Sequence, residues 1–323
     1  MGDTATTVYI IGYDGDRWLP DCVATLRKAS TKRVSLVLID NYKNPGLEQL
    51  DLNGFDVRVV KTPRRMGFAD AHNFGVVAAP PHTSTAVMLN QDTLSRPSWL
   101  DDCVRCFEDD PQLGALSPSI RTYDWQEWDA AFLTCASDSN QFDPQHLESD
   151  RDSKPYYVPV ITGAAMMVRT EAIIAHGLFD PIFGSYYEDY DFCRRLARNS
   201  WRNAICPTAF IGHFSGSATS TPEAEQRRKR LIQRNRVIEA LRLASPNRSA
   251  ALLRHLLTKL PRNLARGLMR TPSSQPVSVT MGAHWDLLRL LPRVLNTQRD
   301  EQAFDGYLKS IDWPSHANSS SSS

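Results

Sequence analysis

The sequence predicts an α/β protein built on a mainly parallel, doubly covered sheet. Two observations carry the prediction. Short apolar runs alternate with helical stretches along the first two thirds of the chain, which is the pattern of βα units. Several of those runs end in an acid or an amide, and the carboxyl ends of parallel strands are where such sheets bind ligands. A length of 323 residues, 41% of them hydrophobic, suits one large domain with an appendage, or two domains.

Val8-Tyr9-Ile10-Ile11 reads as the first strand, ending at Gly12. Trp18, Leu19, Cys22, Val23 and Leu26 then recur at helical spacing. Residues 34–39 form a second buried strand that ends in Asp40-Asn41, and residues 57–60 a third. Gly67 opens a helix over 68–79, which Pro80-Pro81 terminates. Residues 86–89 form a fourth strand, followed by Asn90-Gln91-Asp92-Thr93 and by a helix over 99–107. Residues 109–155 read as polar and irregular, with Trp125 and Trp128 among acids: an acceptor-side loop or a surface insertion. Residues 158–168 are strand-like but broken at Thr162-Gly163, where a glycine lets a ligand approach the backbone. A short helix over 170–176 and a strand over 201–210 follow.

From Glu223 the pattern is helical, with Leu231, Asn235, Ile238 and Leu241, then Leu252, Leu253, Leu256, Leu257 and Leu260, and a last helix over 285–295. The expected organisation is a catalytic domain over 1–222, a basic amphipathic helical extension over 223–314 and a disordered tail over 315–323.

The net charge of +1 gives no reason to invoke nucleic acid. Its distribution is uneven: residues 227–299 are rich in arginine, residues 101–152 in acids. Basic amphipathic helices can lie on an anionic membrane, or can pack on the catalytic domain with a solvated face, and both readings stand. No apolar run approaches membrane-spanning length, and the first residues lack a signal-peptide layout. Six cysteines include a single C-x-x-C, Cys103 and Cys106, without a second pair. Buried thiols in a reduced, cytoplasmic setting explain them better than zinc.

Four places carry candidate chemistry. Asp40 and Asp92 follow strands; an Asp there is often a turn former, but Thr93 and Ser95 can cap the next helix and so leave Asp92 for a divalent cation. Phe183-Gly184-Ser185-Tyr186-Tyr187-Glu188-Asp189-Tyr190-Asp191 sets three carboxylates at the start of a helix. A helix N-terminus holds carboxylates ionised and fixed, so these acids are either ordinary dipole partners or a general base. His213 is either a hydrogen-bonded structural histidine or a ligand. The absence of a G-x-G-x-x-G loop and of a P-loop lysine argues against dehydrogenases and P-loop NTPases. A nucleotidyltransferase would show a glycine-rich basic loop, and residues 12–18 hold one basic residue, Arg17.

In order and spacing these pieces resemble family 2 glycosyltransferases of the GT-A fold, above all the bacterial rhamnosyltransferase-like members. Tyr13-Asp14-Gly15 resembles the family's Tyr-Asn-Gly, and Ile39-Asp40-Asn41 its Val-Asp-Asn. Gly67-Phe68-Ala69 through Asn73-Phe74-Gly75 is similar to the stretch lining its nucleotide pocket. Leu89-Asn90-Gln91-Asp92-Thr93 resembles the metal motif, with Asn90 at the first acid. Gly163 to Arg169, Phe179-Asp180, Tyr187 to Asp191, Trp201, Pro207, His213 to Ser217 and Arg234-Asn235 follow in family order. Three departures fall on the nucleotide side: Arg64-Arg65-Met66 before Gly67, Gly12 in place of Thr or Asn, and Asn41-Tyr42 in place of Asn-Ala-Ser.

The resemblance implies an inverting, metal-dependent transfer of a sugar, rhamnose from dTDP-rhamnose, to a cell-envelope saccharide or lipid-linked saccharide at the inner membrane face. A UDP-sugar such as UDP-galactofuranose is the alternative donor, and a non-catalytic nucleotide-sugar or glycan-binding module the alternative class. It also implies the roles. Gly12, Tyr13, Asp40, Arg65, Gly67, Asn73, Asn90 and Gln91 would meet the nucleotide, and Gly163 and Tyr187 the sugar or acceptor. Asp92 and His213 would hold Mg²⁺ or Mn²⁺. Asp189 would be the general base, with Asp191 and Glu188 behind it.

Overall fold

The computed structural model describes residues 4–13, 17–42, 45–137, 144, 147, 154–215, 221–244, 247–271 and 275–295. Asp14, Gly15, Gly216, Ser217 and the tail at 315–323 lie outside the described residues. The chain divides into two compact units: residues 4–180 with 188–215, and Pro181–Tyr187 with the described residues from 221 on.

The first unit is a nine-stranded sheet over the described residues: β1 (Thr4–Gly12), β2 (Arg33–Asp40), β3 (Asp56–Lys61), β4 (Thr85–Leu89), β5 (Thr93–Ser95), β6 (Leu113–Thr122), β7 (Tyr156–Tyr157), β8 (Ala165–Arg169) and β9 (Arg202–His213). Its order is β3-β2-β1-β4-β8-β6-β9-β5, with β7 added on β9. Strands β1, β2, β3, β4, β6 and β9 run one way, while β5, β7 and β8 run against them. The sheet is therefore mostly parallel in direction, as the alternation predicted.

The burial of each strand follows its place. Val8, Tyr9 and Ile10 of central β1 are fully buried, and so are Leu36, Leu38 and Ile39 of β2. Outermost β3 carries Asp56, Arg58 and Lys61 and leaves Val59 half exposed, and charge of this kind blunts an open edge.

Around the sheet lie α1 (Leu19–Leu26), α2 (Phe68–Ala78), α3 (Trp99–Asp109), α4 (Ala130–Ala136), α5 (Thr170–His176) and α6 (Glu188–Arg198). Helix α3 buries Trp99, Leu100, Cys103, Cys106 and Phe107, one apolar stripe at helical spacing, so both cysteines are core thiols. Helix α2 comes close to the sheet through small residues. A Cβ built on Gly75 would stand 2.4 Å from Ile39 Cδ1 and 2.8 Å from Cγ1. Gly75→Val is therefore expected to overpack this contact and destabilise by about 1–3 kcal/mol, read as a lower urea midpoint. An unchanged midpoint would mean that α2 can ride away from β2.

The irregular reading of residues 109–155 is corrected: they contain β6, which lies between β8 and β9, and α4. Pro118 disguises the strand. It sits at a register shift, where Pro118 pairs with Cys206 and Ser119 with Phe210, so the missing N–H falls where the ladder is already broken. The strand-like stretch 158–168 also resolves differently. Its first part is buried but unpaired as a strand, and β8 begins only at Ala165.

The second unit holds α7 (Pro222–Leu243), α8 (Arg248–Arg254), a π-turn (His255–Lys259), α9 (Leu260–Leu268) and α10 (Val277–Leu295). Ile182, Phe183, Val237, Ile238, Leu241, Leu287 and Val294 form its core. Arg230 bridges α7 and α10 through two 2.6 Å hydrogen bonds to Asp286. The loop Pro181–Tyr187 includes two tyrosines at positive φ, Tyr186 (71°) and Tyr187 (74°), a conformation rare for bulky side chains. Asn235 is fully buried and holds that backbone, its amide reaching the carbonyls of Phe183, Ser185 and Tyr186 at 2.9, 2.8 and 2.7 Å. Arg234 donates to Phe183 O and to Asn235 Oδ1.

Candidate active site

Strand order decides which side chains meet. Gly12, Asp40 and Asn90 follow or end the neighbouring strands β1, β2 and β4 at their carboxyl edge. The main-chain N–H of Asn90 donates to Ala164 O at 2.9 Å, which brings the Thr162-Gly163-Ala164 turn to the same edge. Gly163 N–H in turn donates to Asp189 Oδ2 at 3.0 Å. On the other side of Asn90, its amide nitrogen lies 3.2 Å from His213 Nε2. A continuous chain of contacts therefore joins Asp189, Gly163, Asn90, His213 and Asp92.

At the metal side, β5 and β6 both pair with β9 at His213, which fixes the ring's root. His213 Nε2 stands 3.5 Å from Asp92 Oδ1, and Nδ1 stands 3.2 Å from Asp129 Oδ2. Ser215 also donates to Asp129. Asp129 Oδ1 accepts from Phe132 N at 2.9 Å, so one carboxylate caps α4 and orients the imidazole. Burial opposes charging of His213, but hydrogen bonds and charge from Asp129 and Asp92 outweigh it and push the ring up to about 9.

Once the proton on Nε2 is displaced, the residues fit a hard divalent ion as a shared site. Ligand atoms of one six-coordinate Mg²⁺ or Mn²⁺ lie roughly 3 Å apart, near the spacing of Nε2 and Oδ1. A carboxylate on the far ring nitrogen is the usual support of a metal-bound histidine. Among the described residues no group of three His, Cys, Asp or Glu side chains could enclose an ion alone. Two protein ligands suffice only where substrate oxygens complete the shell.

At the base side, α6 begins at Glu188. Asp189 is fixed at both oxygens, by Gly163 N–H on Oδ2 and by Tyr190 N–H at 2.9 Å on Oδ1. Burial raises its pKa, and those two hydrogen bonds work against the rise. Glu188 has less support, a hydrogen bond from its own main chain. Burial, and then the charge of Asp189, carry it well above the ordinary carboxylate range, and its Oε2 has no hydrogen-bond partner. Of this coupled pair, Glu188 keeps the proton and Asp189 ionises first.

Asp191, expected beside Asp189, is turned elsewhere. Residues two apart on a helix do not face each other. Asp191 Oδ2 accepts from Arg195 Nε at 3.1 Å, and Arg195 also donates to His176 O and Leu178 O. It ties α6 to the end of α5 and does not join the pair.

On the nucleotide side, Gln91 clamps Tyr13 through both main-chain groups, at 2.9 and 2.6 Å. Arg65 lies over the Tyr13 ring, 4.3 Å from its centroid. Asn41 holds the loop before Gly67 by a reciprocal pair with Met66 N and O. Asp40 sits beside it at the end of β2 and is almost fully buried. Asn73 turns inward: both ends of its amide engage the main chain of Phe179, at 2.7 and 3.1 Å, and the side chain is buried. It clasps α2 to the chain before Pro181. Tyr187 belongs to the second unit, where it packs against the Ile182, Phe183 and Val237 cluster.

Sequence reasoning missed Asp129, Asn41 and the aromatic group beside Asp92. Phe214 donates its N–H to Asp92 O and stacks on Trp18 at 4.0 Å, and Arg17 lies 4.5 Å over the Trp18 ring. The N-cap pattern of an Asp before Ala130-Ala131-Phe132 was available for Asp129, but nothing in it points to a histidine.

This sheet, with its antiparallel β8 and its ligand edge at β1, β2 and β4, is the GT-A fold of glycosyltransferases. A family model described as glycosyltransferase like family 2 matches residues 4–237. The chain belongs to that family, a glycosyltransferase by class. No curated protein matches it. Among solved structures it is similar to S. aureus TarS, residues 1–349, with 15% identity and a TM-score of 0.54 over 95% of this chain and 90% of that one. It is similar also to the mannosyltransferase PcManGT from Pyrobaculum calidifontis in complex with GDP-Man and Mn²⁺, with 16% identity, a TM-score of 0.54 and coverage of 96% and 88%. A third is GalNAc-T7 with UDP, GalNAc and Mn²⁺, with 19% identity and a TM-score of 0.54. The match covers 78% of this chain and 54% of GalNAc-T7, so the chain spans about half that protein's length. At these identities the likeness concerns the fold.

Proposed function

We propose that this chain transfers one sugar from a nucleotide sugar to a saccharide or lipid-linked saccharide hydroxyl, with inversion at the anomeric carbon. The observation that carries the proposal is the run of contacts from Asp189 through Gly163 and Asn90 to His213 and Asp92. The reading takes Asp189 as a base and Asp92 with His213 as cation ligands along one sheet edge, as transfer from a diphosphate requires.

In this reading Tyr13, Asp40, Arg65, Gly67 and Gln91 hold the nucleotide, with Asn90 beside the diphosphate. Asp92 and His213 hold Mg²⁺ or Mn²⁺, which when bound supplies Lewis-acid stabilisation of the diphosphate charge. Asp129 keeps Nδ1 of His213 occupied, so that Nε2 faces the diphosphate. Asp189 takes the proton of the acceptor hydroxyl, each oxygen keeping one lone pair beyond its N–H bond. Glu188 stays protonated and does not compete. Attack from the Asp189 side, opposite the leaving diphosphate, inverts the configuration without a covalent intermediate.

The donor carried by the sequence resemblance is dTDP-rhamnose, and the acceptor a cell-envelope glycan. A UDP-sugar donor is the second reading, supported by TarS in complex with UDP-GlcNAc. Release of dTDP or UDP on incubation with each donor and Mn²⁺ tests both. A protein that binds nucleotide sugars but releases no nucleoside diphosphate with any acceptor is a binding module, and the proposal is lost.

The pH dependence follows from the base. Asp189 must be ionised, and burial raises its pKa from 3.8. It is then protonated over a range where an exposed aspartate has already ionised. The acid limb of kcat is expected at higher pH than an exposed aspartate would give, broadened by coupling to Glu188. Turnover that stays flat down to about pH 4 would exclude this base.

A further inference from the structure

The helical unit contains a cavity of about 320 Å³ that shares no residue with the candidate active site. Gln233 and Arg236 of α7 form one wall, and the π-turn and α9 contribute Lys259, Arg262 and Arg266. No carboxylate stands among the described lining residues. The whole segment 247–271 holds no Asp or Glu. Four cations around one hollow repel each other and attract an anion.

The same rod is apolar along another side. Helix α8, the π-turn and α9 bury no side chain. Leu253, Leu257, Leu268 and Met269 are between 57% and 74% exposed. Leu253 and Leu257 are one turn apart. The π-turn, which holds Leu257, changes the angle at which Leu268 and Met269 leave the rod. Neither a free phosphate nor a nucleic acid has a use for exposed leucines. An anionic lipid surface uses both halves: apolar side chains enter the acyl boundary, and cations meet headgroup phosphates. No described helix is long and apolar enough to cross a membrane, so the contact is with its surface.

We propose that this face of the helical unit docks onto an anionic lipid surface. Leu253, Leu257 and Leu268 insert, and the long side chains of Lys259, Arg262 and Arg266 reach round the rod to headgroup phosphates. The proposal concerns where the chain sits and stands apart from the transfer chemistry. The test is co-sedimentation of the full chain with vesicles of phosphatidylglycerol and phosphatidylcholine, against vesicles of phosphatidylcholine alone. The chain should pellet with the anionic vesicles only, and less as salt rises. The triple variant Lys259→Glu, Arg262→Glu, Arg266→Glu should lower the partition coefficient roughly a hundredfold. The double variant Leu253→Ser, Leu257→Ser should lower it too. Both variants should melt like the wild type, since these side chains bury little, and should cleave donor in solution at the wild-type rate. If the charge-reversed chain fails to fold, Arg262→Gln with Arg266→Gln replaces it, with a loss of at least about tenfold expected. Equal binding to neutral vesicles, or undiminished binding by a folded charge variant, overturns the proposal. So does a melting temperature raised by inorganic phosphate with no vesicle binding, or tighter binding to single-stranded RNA than to vesicles.

Discussion

Asp189→Asn is expected to lower kcat by about 10²–10⁴ while donor affinity stays within about twofold. The amide has the shape of the carboxylate and keeps one oxygen for the N–H of Gly163, now 3.0 Å from Oδ2. The substitution therefore removes basicity, charge and the hydrogen bond that Oδ1 accepts from Tyr190 N–H. Glu188 cannot take over the proton transfer, because burial and the charge beside it hold it neutral. In the variant that repulsion is gone, but the burial of Glu188 remains. Turnover is read as released nucleoside diphosphate, and donor binding as calorimetric affinity. Wild-type turnover in a folded Asp189→Asn chain would remove the base and, with it, the inverting mechanism proposed for this site. A loss of donor affinity in step with turnover would place Asp189 against the nucleotide instead.

The neighbouring acids show what a sequence can and cannot say about such a site. Val8 to Ile11, residues 34–39 and residues 86–89 announce themselves because both faces of a parallel strand are buried and the run is apolar throughout. The edge acids followed at once, since a strand's end is a fixed place in the fold. Strand β6 did not announce itself. Gly114 and Pro118 interrupt it, and the register shift that makes Pro118 harmless needs a partner strand, β9, more than eighty residues away. Asp129 was hidden for a similar reason: its hydrogen bond to His213 spans 84 positions. Local pattern reports the N-cap and is blind to the imidazole. Asp191 is a different case. Three acids in four positions read as one cluster, yet helical geometry alone separates Asp189 from Asp191 once α6 begins at Glu188. Asn73 makes the same point, for a motif position gives no information about which way an amide turns. Pairings along the chain were legible, and those across it were not.

Asp92→Ala is expected to abolish the part of donor affinity that depends on Mn²⁺. Among the described residues Asp92 supplies the carboxylate beside Nε2 of His213, at 3.5 Å, and Asn90 supplies an amide where the related motif has an acid. A hard divalent ion takes oxygen ligands and prefers charged ones, so losing this carboxylate leaves a histidine and an amide. Metal-dependent affinity should fall by at least about a hundredfold, more than the 10–100-fold typical of a supporting residue. Asp129→Asn provides that comparison within the same site. Asparagine caps a helix as well as aspartate does, so α4 and the hydrogen bond to Phe132 survive. What it loses is the charge that holds the ring of His213 in place. It should therefore weaken Mn²⁺-dependent binding by about 10–100-fold and leave affinity measured without Mn²⁺ unchanged. Titration of each variant with donor, in Mn²⁺ and in chelator, separates the cases. If Asp92→Ala binds donor as the wild type does in both buffers, Asp92 is a turn residue, and the diphosphate must be stabilised by protein cations alone. Arg65, which lies over Tyr13 at the same edge, would then be the first side chain to remove.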